Sequence, residues 1–238
     1  MPGDRPTVIL TRPEAQAHVF KAALEDRVGD RARYIVAPVI EIVPVPSPVD
    51  PGKYGTLIFT SANGVRALGK PDVLAGHLAY CVGNRTAEAA ARAGMRTVVA
   101  GGNADALADR LLADKPPGPW LHLSGEHTRG NLADRLAGNG QPTDHAVVYR
   151  QDAIPLSAEA RQTLSTERVI LPVFSPRTAT LLSEMIPANA PHPDIAAISN
   201  EAAQAWRGPS RRLAIASRPE SGVMVDLVGM LVRTDSHS

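Results

Sequence analysis

One cysteine, Cys81, in 238 residues excludes an internal disulfide and any cysteine-rich zinc site. Aromatic residues are scarce. Three Phe, two Trp and four Tyr make up 4% of the chain, too few for the stacking platforms that hold single-stranded nucleic acid. An excess of one charge is missing as well: Lys and Arg number 25, Asp and Glu 24, and the net charge of +1 argues against nucleic-acid binding. No apolar run approaches the roughly 20 residues of a membrane span, so no membrane partner is expected. The opening Met1-Pro2-Gly3-Asp4-Arg5-Pro6 has no apolar signal core, so a cytoplasmic protein is expected. Against these absences, 44% hydrophobic residues suffice for one large domain or two smaller ones. Nineteen Gly and twenty-one Pro make the chain loop-rich without reaching the composition of disorder.

Short apolar runs recur along the chain, each followed by a turn residue and a helical pattern. They are Thr7–Leu10, Leu57–Thr60, Ala79–Val82, Leu121–Leu123, Val169–Phe174 and Ile195–Ile198. After the first comes Thr11-Arg12-Pro13 and a predicted helix from about Glu14 to Glu25. Strand-then-helix alternation of this kind predicts parallel sheets covered by helices, an α/β fold.

An internal repeat is present. Leu57-Ile58-Phe59-Thr60-Ser61 resembles Leu171-Pro172-Val173-Phe174-Ser175, with the serines 114 positions apart. Tyr80–Asn84 resembles Ala196–Asn200 at an offset of 116, and Val8–Thr11 resembles Leu121–Ser124 at 113. The chain therefore reads as two copies of one unit and predicts two similar α/β domains. Two Pro-punctuated stretches, Tyr34–Pro48 and Ala146–Pro155, read as exposed, extended connectors rather than central strands, because proline fixes φ and removes a donor. A connector as early as residue 40 leaves two arrangements open: tandem domains, or a second domain inserted into the first.

Each strand-to-helix junction carries Ser, Thr or Gly at its mouth. One reading is N-capping, in which a side-chain oxygen satisfies a free helix amide. The other is anion binding by the amides and dipole of a helix N-terminus. In parallel sheets these mouths share the carboxyl edge, where ligands bind, and two such edges would suit a polyanion. Other sites fail on spacing. Gly64 to Lys70 has P-loop spacing, but Pro71 stands where Ser or Thr must hold magnesium, and the stretch lies in an apolar helical pattern. No G-x-G-x-x-G follows the first strand, and Gly101-Gly102-Asn103 reads as the cap of a helix from Ala104 to Leu112. No G-x-S-x-G is present. His122 and His127 lack a third metal ligand nearby, and His18, His145, His192 and His237 read as surface residues. Arg207, Arg211 and Arg212 read as a solvated loop that could supplement a site for an acidic ligand. The residues alone thus leave two classes open, a binding protein for an acidic small molecule and a lyase or isomerase that works without a cofactor.

An ordered set of segments resembles the uroporphyrinogen-III synthase family. The segments are Val8-Ile9-Leu10-Thr11-Arg12-Pro13, Phe59-Thr60-Ser61-Ala62-Asn63-Gly64-Val65, Val82-Gly83-Asn84-Arg85-Thr86-Ala87, Gly94 before a strand, Ser124-Gly125 with Arg129, Val148-Tyr149-Arg150, Phe174-Ser175-Pro176 and Ala197-Ile198-Ser199. The resemblance spans about residues 7 to 232 and rests on order and spacing more than on any one segment.

The resemblance implies two flavodoxin- or Rossmann-like parallel-sheet domains joined by a two-stranded antiparallel linker. One domain would comprise residues 1–37 and 154–238, the other 47–146, with 38–46 and 147–153 as linker strands. The implied substrate is hydroxymethylbilane, a linear tetrapyrrole with eight carboxylates. The implied reaction is loss of water and ring closure with inversion of the last pyrrole, giving uroporphyrinogen III without metal or cofactor. Once the hydroxyl leaves, the bilane becomes an azafulvene stabilised by its own pyrrole nitrogen. The enzyme's task is then to orient the terminal ring for attack at its substituted α-carbon, through a spiro intermediate. Tyr149 matches the family's tyrosine beside the cleft and is the implied proton donor, since a tyrosine phenol is protonated at neutral pH. The implied binding residues are Arg12, Ser61, Ala62, Asn63, Gly83, Asn84, Thr86, Ser124, Gly125, Ser175, Pro176, Arg177, Ser199 and Asn200. One departure stands out. Glu201-Ala202 follow Ser199-Asn200 where the family commonly has hydroxyl residues, and Glu201 at a helix N-terminus would repel a substrate carboxylate, a loss that Arg211 and Arg212 could offset. The rival expectation is a non-catalytic two-lobed binding or regulatory protein for an acidic small molecule. A monomer is expected, with at most transient contact with the preceding enzyme of the pathway.

Overall fold

The computed structural model describes residues 5–69, 71–127, 131–187 and 190–234. The strands are β1 (Thr7–Leu10), β2 (Arg33–Val36), β3 (Ile40–Pro44), β4 (Thr56–Phe59), β5 (Leu78–Cys81), β6 (Arg96–Val99), β7 (Trp120–Gly125), β8 (Thr143–Ala153), β9 (Val169–Val173), β10 (Asp194–Ala197) and β11 (Arg212–Ile215). The helices are α1 (Glu14–Val28), α2 (Ala62–Leu68), α3 (Pro71–Leu74), α4 (Asn84–Arg92), α5 (Ala104–Asp114), α6 (Leu132–Gly138), α7 (Ala158–Thr166), α8 (Pro176–Met185), α9 (Asn200–Ala205) and α10 (Ser221–Arg233).

The chain divides into two compact units, residues 1–41 with 153–238, and residues 42–152. The first unit holds a five-stranded sheet in the order β11-β10-β9-β1-β2, every pair parallel. Its three central strands, β1, β9 and β10, are buried on both faces, as parallel strands flanked by helices must be. Val8, Leu10, Ile170 and Ala196 pack on one face against Phe20 and Leu24 of α1 and Met224 and Val228 of α10. The second sheet runs β3-β8-β7-β4-β5-β6. Alternation along its strands sends Leu57, Phe59, Leu121 and Leu123 to one face and Ile58, Tyr80 and Trp120 to the other, where α5 and α6 cover them with Leu107, Leu111 and Leu136.

Counted from β1, the first sheet has the order 2-1-3-4-5, and counted from β7 the second has the same order with β3 added at its edge. The sequence repeat makes β7 the counterpart of β1, and β9 and β10 the counterparts of β4 and β5. Each unit is therefore assembled from the first part of one copy and the second part of the other.

The two Pro-punctuated stretches need correction. Tyr34–Val36 belongs to β2, an edge strand paired along its length with β1. Ala146–Tyr149 lies in β8 next to β7, and the far part of β8 is flanked by β3, so this segment is sheet, while the chain still passes between the two units at 41/42 and 152/153, within the two stretches. The β-branched and aromatic run Val147-Val148-Tyr149 outweighs the proline signal because Pro155 falls beyond the strand's end. β3 and β8 run antiparallel: Ile154 N–H donates to Val39 O at 3.0 Å and Val45 N–H to Val148 O at 2.8 Å, one number rising as the other falls.

Glycine is obligatory at Gly64. A Cβ there would lie 2.9 Å from the Leu123 carbonyl oxygen, so only glycine lets the first turn of α2 press against β7. The segment lies in a helix, as its apolar pattern predicts; Lys70, at the end of the rejected P-loop spacing, lies outside the described residues, as does His237.

Candidate active site

In a 2-1-3-4-5 sheet the chain departs in opposite directions from two neighbouring strands, leaving a crevice at their carboxyl ends. In the first unit those strands are β1 and β9, and in the second β7 and β4. The residues singled out from the sequence lie at the carboxyl ends of three adjacent strands of one sheet, β10, β9 and β1, and three of the other, β7, β4 and β5, with Tyr149 of β8 opposite the last residue of β7.

In the first unit Arg12 bridges the crevice. Its guanidinium carbon sits 4.0 Å from the centroid of the Phe174 ring, which follows β9. Its Nη2 donates to Gln16 Oε1 at 2.9 Å. Phe174 is held edge-on by Phe20 at 4.9 Å, so the cation rests on a packed aromatic. Ser175 caps α8, accepting the Thr178 N–H at 3.1 Å, with Pro176 at the first helical position. Arg177 is half-buried and has polar partners of its own. Ser199 accepts the Ala202 N–H at 3.3 Å, and Asn200 begins α9, exposed. Glu201 is exposed in the first turn of α9 and is engaged by a neighbour. Thr11, next to Arg12, was not singled out as a ligand, yet its Oγ1 is buried with no hydrogen-bond partner among the described residues. A lone threonine gives no signal of this in sequence.

Arg211 and Arg212 do not serve this edge. They clamp Asp194, whose side chain is fully buried, with Arg212 at 3.0 Å and Arg168, just before β9, at 3.4 Å. Asp194 opens β10, at the sheet's amino end. Burial raises its carboxyl pKa, but hydrogen bonds and charge from Arg212 and Arg211 outweigh that and hold it below the usual range. Arg211 is exposed in a bend, as expected of a loop residue, and Arg212 lies in β11; both are tied to Asp194 at the sheet's amino end, so neither is placed to offset Glu201.

In the second unit Ser61 caps α2, accepting the Asn63 N–H at 3.2 Å. Ala62 is half-buried and Asn63 buried, with its Oδ1 accepting from Arg66 at 3.4 Å. Gly83 precedes α4 and has no side chain to spend on the helix amides; its carbonyl accepts the N–H groups of Thr86 and Ala87 at 3.0 and 3.1 Å. The α4 N-terminus thus keeps its first amides clear of side-chain caps. Asn84 is exposed there and Thr86 buried. Cys81 lies just before this turn, and burial pushes its thiol up to about 12, too high for nucleophilic work.

The carboxyl end of β7 carries the most information. The ladder pairs Leu123 with Ala146 and Ser124 with Val147, then Gly125 with Tyr149, passing over Val148. At this bulge the Tyr149 ring lies directly over Gly125: a Cβ there would fall 2.5 Å from Tyr149 Cζ. Of the four tyrosines, Tyr34 donates to Leu24 O at 3.4 Å, Tyr54 to Asp144 at 2.7 Å and Tyr80 to Asp114 at 2.8 Å. Tyr149 is 6% exposed, and its hydroxyl has no partner among the described residues. Ser124 is 1% exposed and its hydroxyl is engaged, at 3.1 Å with the Gly125 carbonyl and at 2.6 Å with His145 Nε2. His145 in turn lies 5.2 Å from His122, ring to ring, and His122 Nε2 lies 3.4 Å from Thr60 Oγ1. Reading along the sequence did not pair Ser124 with His145, because they sit on neighbouring strands. Arg129 lies outside the described residues. Among the described residues no three His, Cys, Asp or Glu side chains come together in a way that could hold a metal ion.

The family model for uroporphyrinogen-III synthase HemD matches residues 19–226. The chain belongs to the uroporphyrinogen-III synthase family. Members are cyclising hydro-lyases of tetrapyrrole biosynthesis, acting on a small tetrapyrrole, and the function of this chain is theirs. Among solved structures, uroporphyrinogen-III synthetase from Helicobacter pylori is similar at 19% identity and a TM-score of 0.65, covering 95% of this chain and 99% of that one. A mutant uroporphyrinogen III synthase from Thermus thermophilus is similar at 17% identity and a TM-score of 0.50, covering 94% and 98%. At these identities the two likenesses speak for the fold. No curated protein sequence gave a significant match. Among the described residues no helix is long and apolar enough to cross a membrane.

Proposed function

We propose that this chain converts hydroxymethylbilane to uroporphyrinogen III with Tyr149 as the proton donor to the leaving hydroxyl. The observation that carries the assignment is the state of the four phenols. Three are committed to protein acceptors, while that of Tyr149, at the carboxyl edge of its sheet, is not. Its O–H donates to the departing oxygen, the C–O bond breaks, and water leaves an azafulvenium cation, stabilised by the substrate's own pyrrole nitrogen, beside a tyrosinate that regains its proton when the closed ring loses one. The remaining task is orientation of the terminal ring, a proximity effect.

The substrate's eight carboxylates set the second requirement. Helix N-termini at the strand mouths supply amide donors and favourable dipoles without burying unpaired cations. In this reading the α4 N-terminus at Gly83-Asn84, left without a side-chain cap, takes a carboxylate through backbone amides. Ser61, Ala62, Asn63, Thr86, Ser175, Pro176, Ser199 and Asn200 shape the other mouths, and Arg12 and Arg177 supply positive charge beside β1 and β9. Ser124 and Gly125 contribute through the backbone, since the Ser124 hydroxyl is engaged within the protein. The reading includes a monomer working in the cytoplasm, with at most transient contact with the enzyme that supplies the bilane.

The test is Tyr149→Phe. Loss of the phenol proton should lower the rate of type III formation about 100-fold or more, the ordinary scale of general-acid catalysis, with the melting temperature little changed. A well-folded Tyr149→Phe enzyme with near-normal turnover removes Tyr149 from the chemistry.

A further inference from the structure

By simple alternation along β8, Thr143, His145, Val147 and Tyr149 would share a face. The first three do: the register places them beside Trp120, His122 and Ser124 of β7. Tyr149 does not, and packs instead with Phe59, Leu123, Ala146 and Val148 on the opposite face. The ladder makes this exchange in one step, between Ser124 and Gly125, where β8 carries one residue more than β7. A bulge of this kind re-aims the side chain that follows it. The step needs two things on β7: a residue without a side chain under the ring, which is Gly125, and something that holds the strand at the step.

We propose that Ser124 and His145 hold that step and are positioning residues for Tyr149. This rests on the reading of Tyr149 as the acid. Ser124 Oγ lies 3.1 Å from the Gly125 carbonyl oxygen and 2.6 Å from His145 Nε2, and the imidazole tautomer sets which of the two donates in the shorter bond. These contacts tie β8 to β7 on one face while the Tyr149 ring lies against Gly125 on the other. A glutamine in place of His145 keeps a hydrogen-bonding group, donor and acceptor both, at similar reach, whereas leucine removes it. His145 is an exposed residue whose ring reaches buried Ser124 and His122, so thermal unfolding of each variant accompanies the comparison.

The experiment uses the full chain with ring-labelled tyrosine, compared among wild type, Ser124→Ala, His145→Leu and His145→Gln. Without substrate, the NMR resonance of Tyr149, assigned through Tyr149→Phe, should move in Ser124→Ala and His145→Leu, while those of Tyr34, Tyr54 and Tyr80 stay. With hydroxymethylbilane, both variants should lose about tenfold to a hundredfold in kcat with KM nearly unchanged, as expected when a reacting group is misplaced. His145→Gln should restore both readouts. Adding Tyr149→Phe to either damaging variant should cost nothing beyond Tyr149→Phe alone. An unmoved Tyr149 resonance in both variants overturns the inference, as do losses that multiply in the double variants. If Tyr149→Phe alone keeps its activity, the reading of Tyr149 as the acid falls. The resonance then decides the positioning claim by itself.

Discussion

His122 lies on β7 between Leu121 and Leu123, 4% exposed. Burial pulls its pKa down to about 4, and the neighbouring His145 adds to the shift. The sign of the pH dependence follows. In the unfolded chain the imidazole takes a proton near pH 6.5, and in the folded protein only near pH 4. Between those values the unfolded state binds more protons, so stability falls as the pH drops through this window, by about 3 kcal/mol at full extent. Denaturant unfolding from pH 7 to 4 should show that loss, and His122→Leu should flatten the curve over the same range. Asp194 is the second residue whose environment sets its behaviour. Its buried carboxylate is shared by Arg168, Arg211 and Arg212, so Asp194→Ala should cost roughly 3–5 kcal/mol by removing the acceptor that joins all three. A drop in urea midpoint without loss of cap or mouth geometry would fit, and an unchanged midpoint would contradict it. Neither His122 nor Asp194 could be assigned this role from the chain alone, because their partners come from other strands and, for Asp194, from the Arg211–Arg212 pair that reads locally as solvated loop.

At the scale of elements, the local signals were legible. The cap of α5 by Asn103 and the serines that open α2, α8 and α9 follow from cap chemistry that acts over three or four residues, and the helix from Glu14 begins after Pro13 without a side-chain cap. What the chain hides is register. Nothing in the alternation of Val147, Val148 and Tyr149 reveals the bulge opposite Ser124 and Gly125, since a bulge is a property of two strands. The same holds for the pairing of β8 with β7, a property of two strands that the prolines near β8 do not reveal. The bulge makes a sharp test. Gly125→Ala would put a methyl carbon within 2.5 Å of the Tyr149 ring, so the ring must leave its seat. The substitution should cost about 1–3 kcal/mol in stability. Activity should fall further than stability alone would explain. A Gly125→Ala enzyme that unfolds at the same temperature and turns over normally would show that the ring is not seated there. Ser175→Ala, by contrast, should cost only about 1 kcal/mol, the ordinary value of a lost N-cap, measured by thermal unfolding.

For the whole molecule, the repeat announced two similar units but not how they are made. Strand order supplies the answer: β1 and β2 join β9 to β11, while β7 and β8 join β4 to β6. Each sheet then has one crevice, at β1 and β9 or at β7 and β4, and the residues chosen by resemblance gather at the carboxyl ends around it. Their clustering is a consequence of topology, since every strand-to-helix turn in a parallel sheet opens on the same edge. The chemistry assigned to that edge is control of isomer type, and isomer type is what should be measured. Hydroxymethylbilane generated in the reaction vessel closes by itself to the type I macrocycle. The account predicts that adding this protein shifts the product, separated by chromatography, to type III. A type I product identical to that of the buffer blank, from folded protein at catalytic concentration, would contradict it.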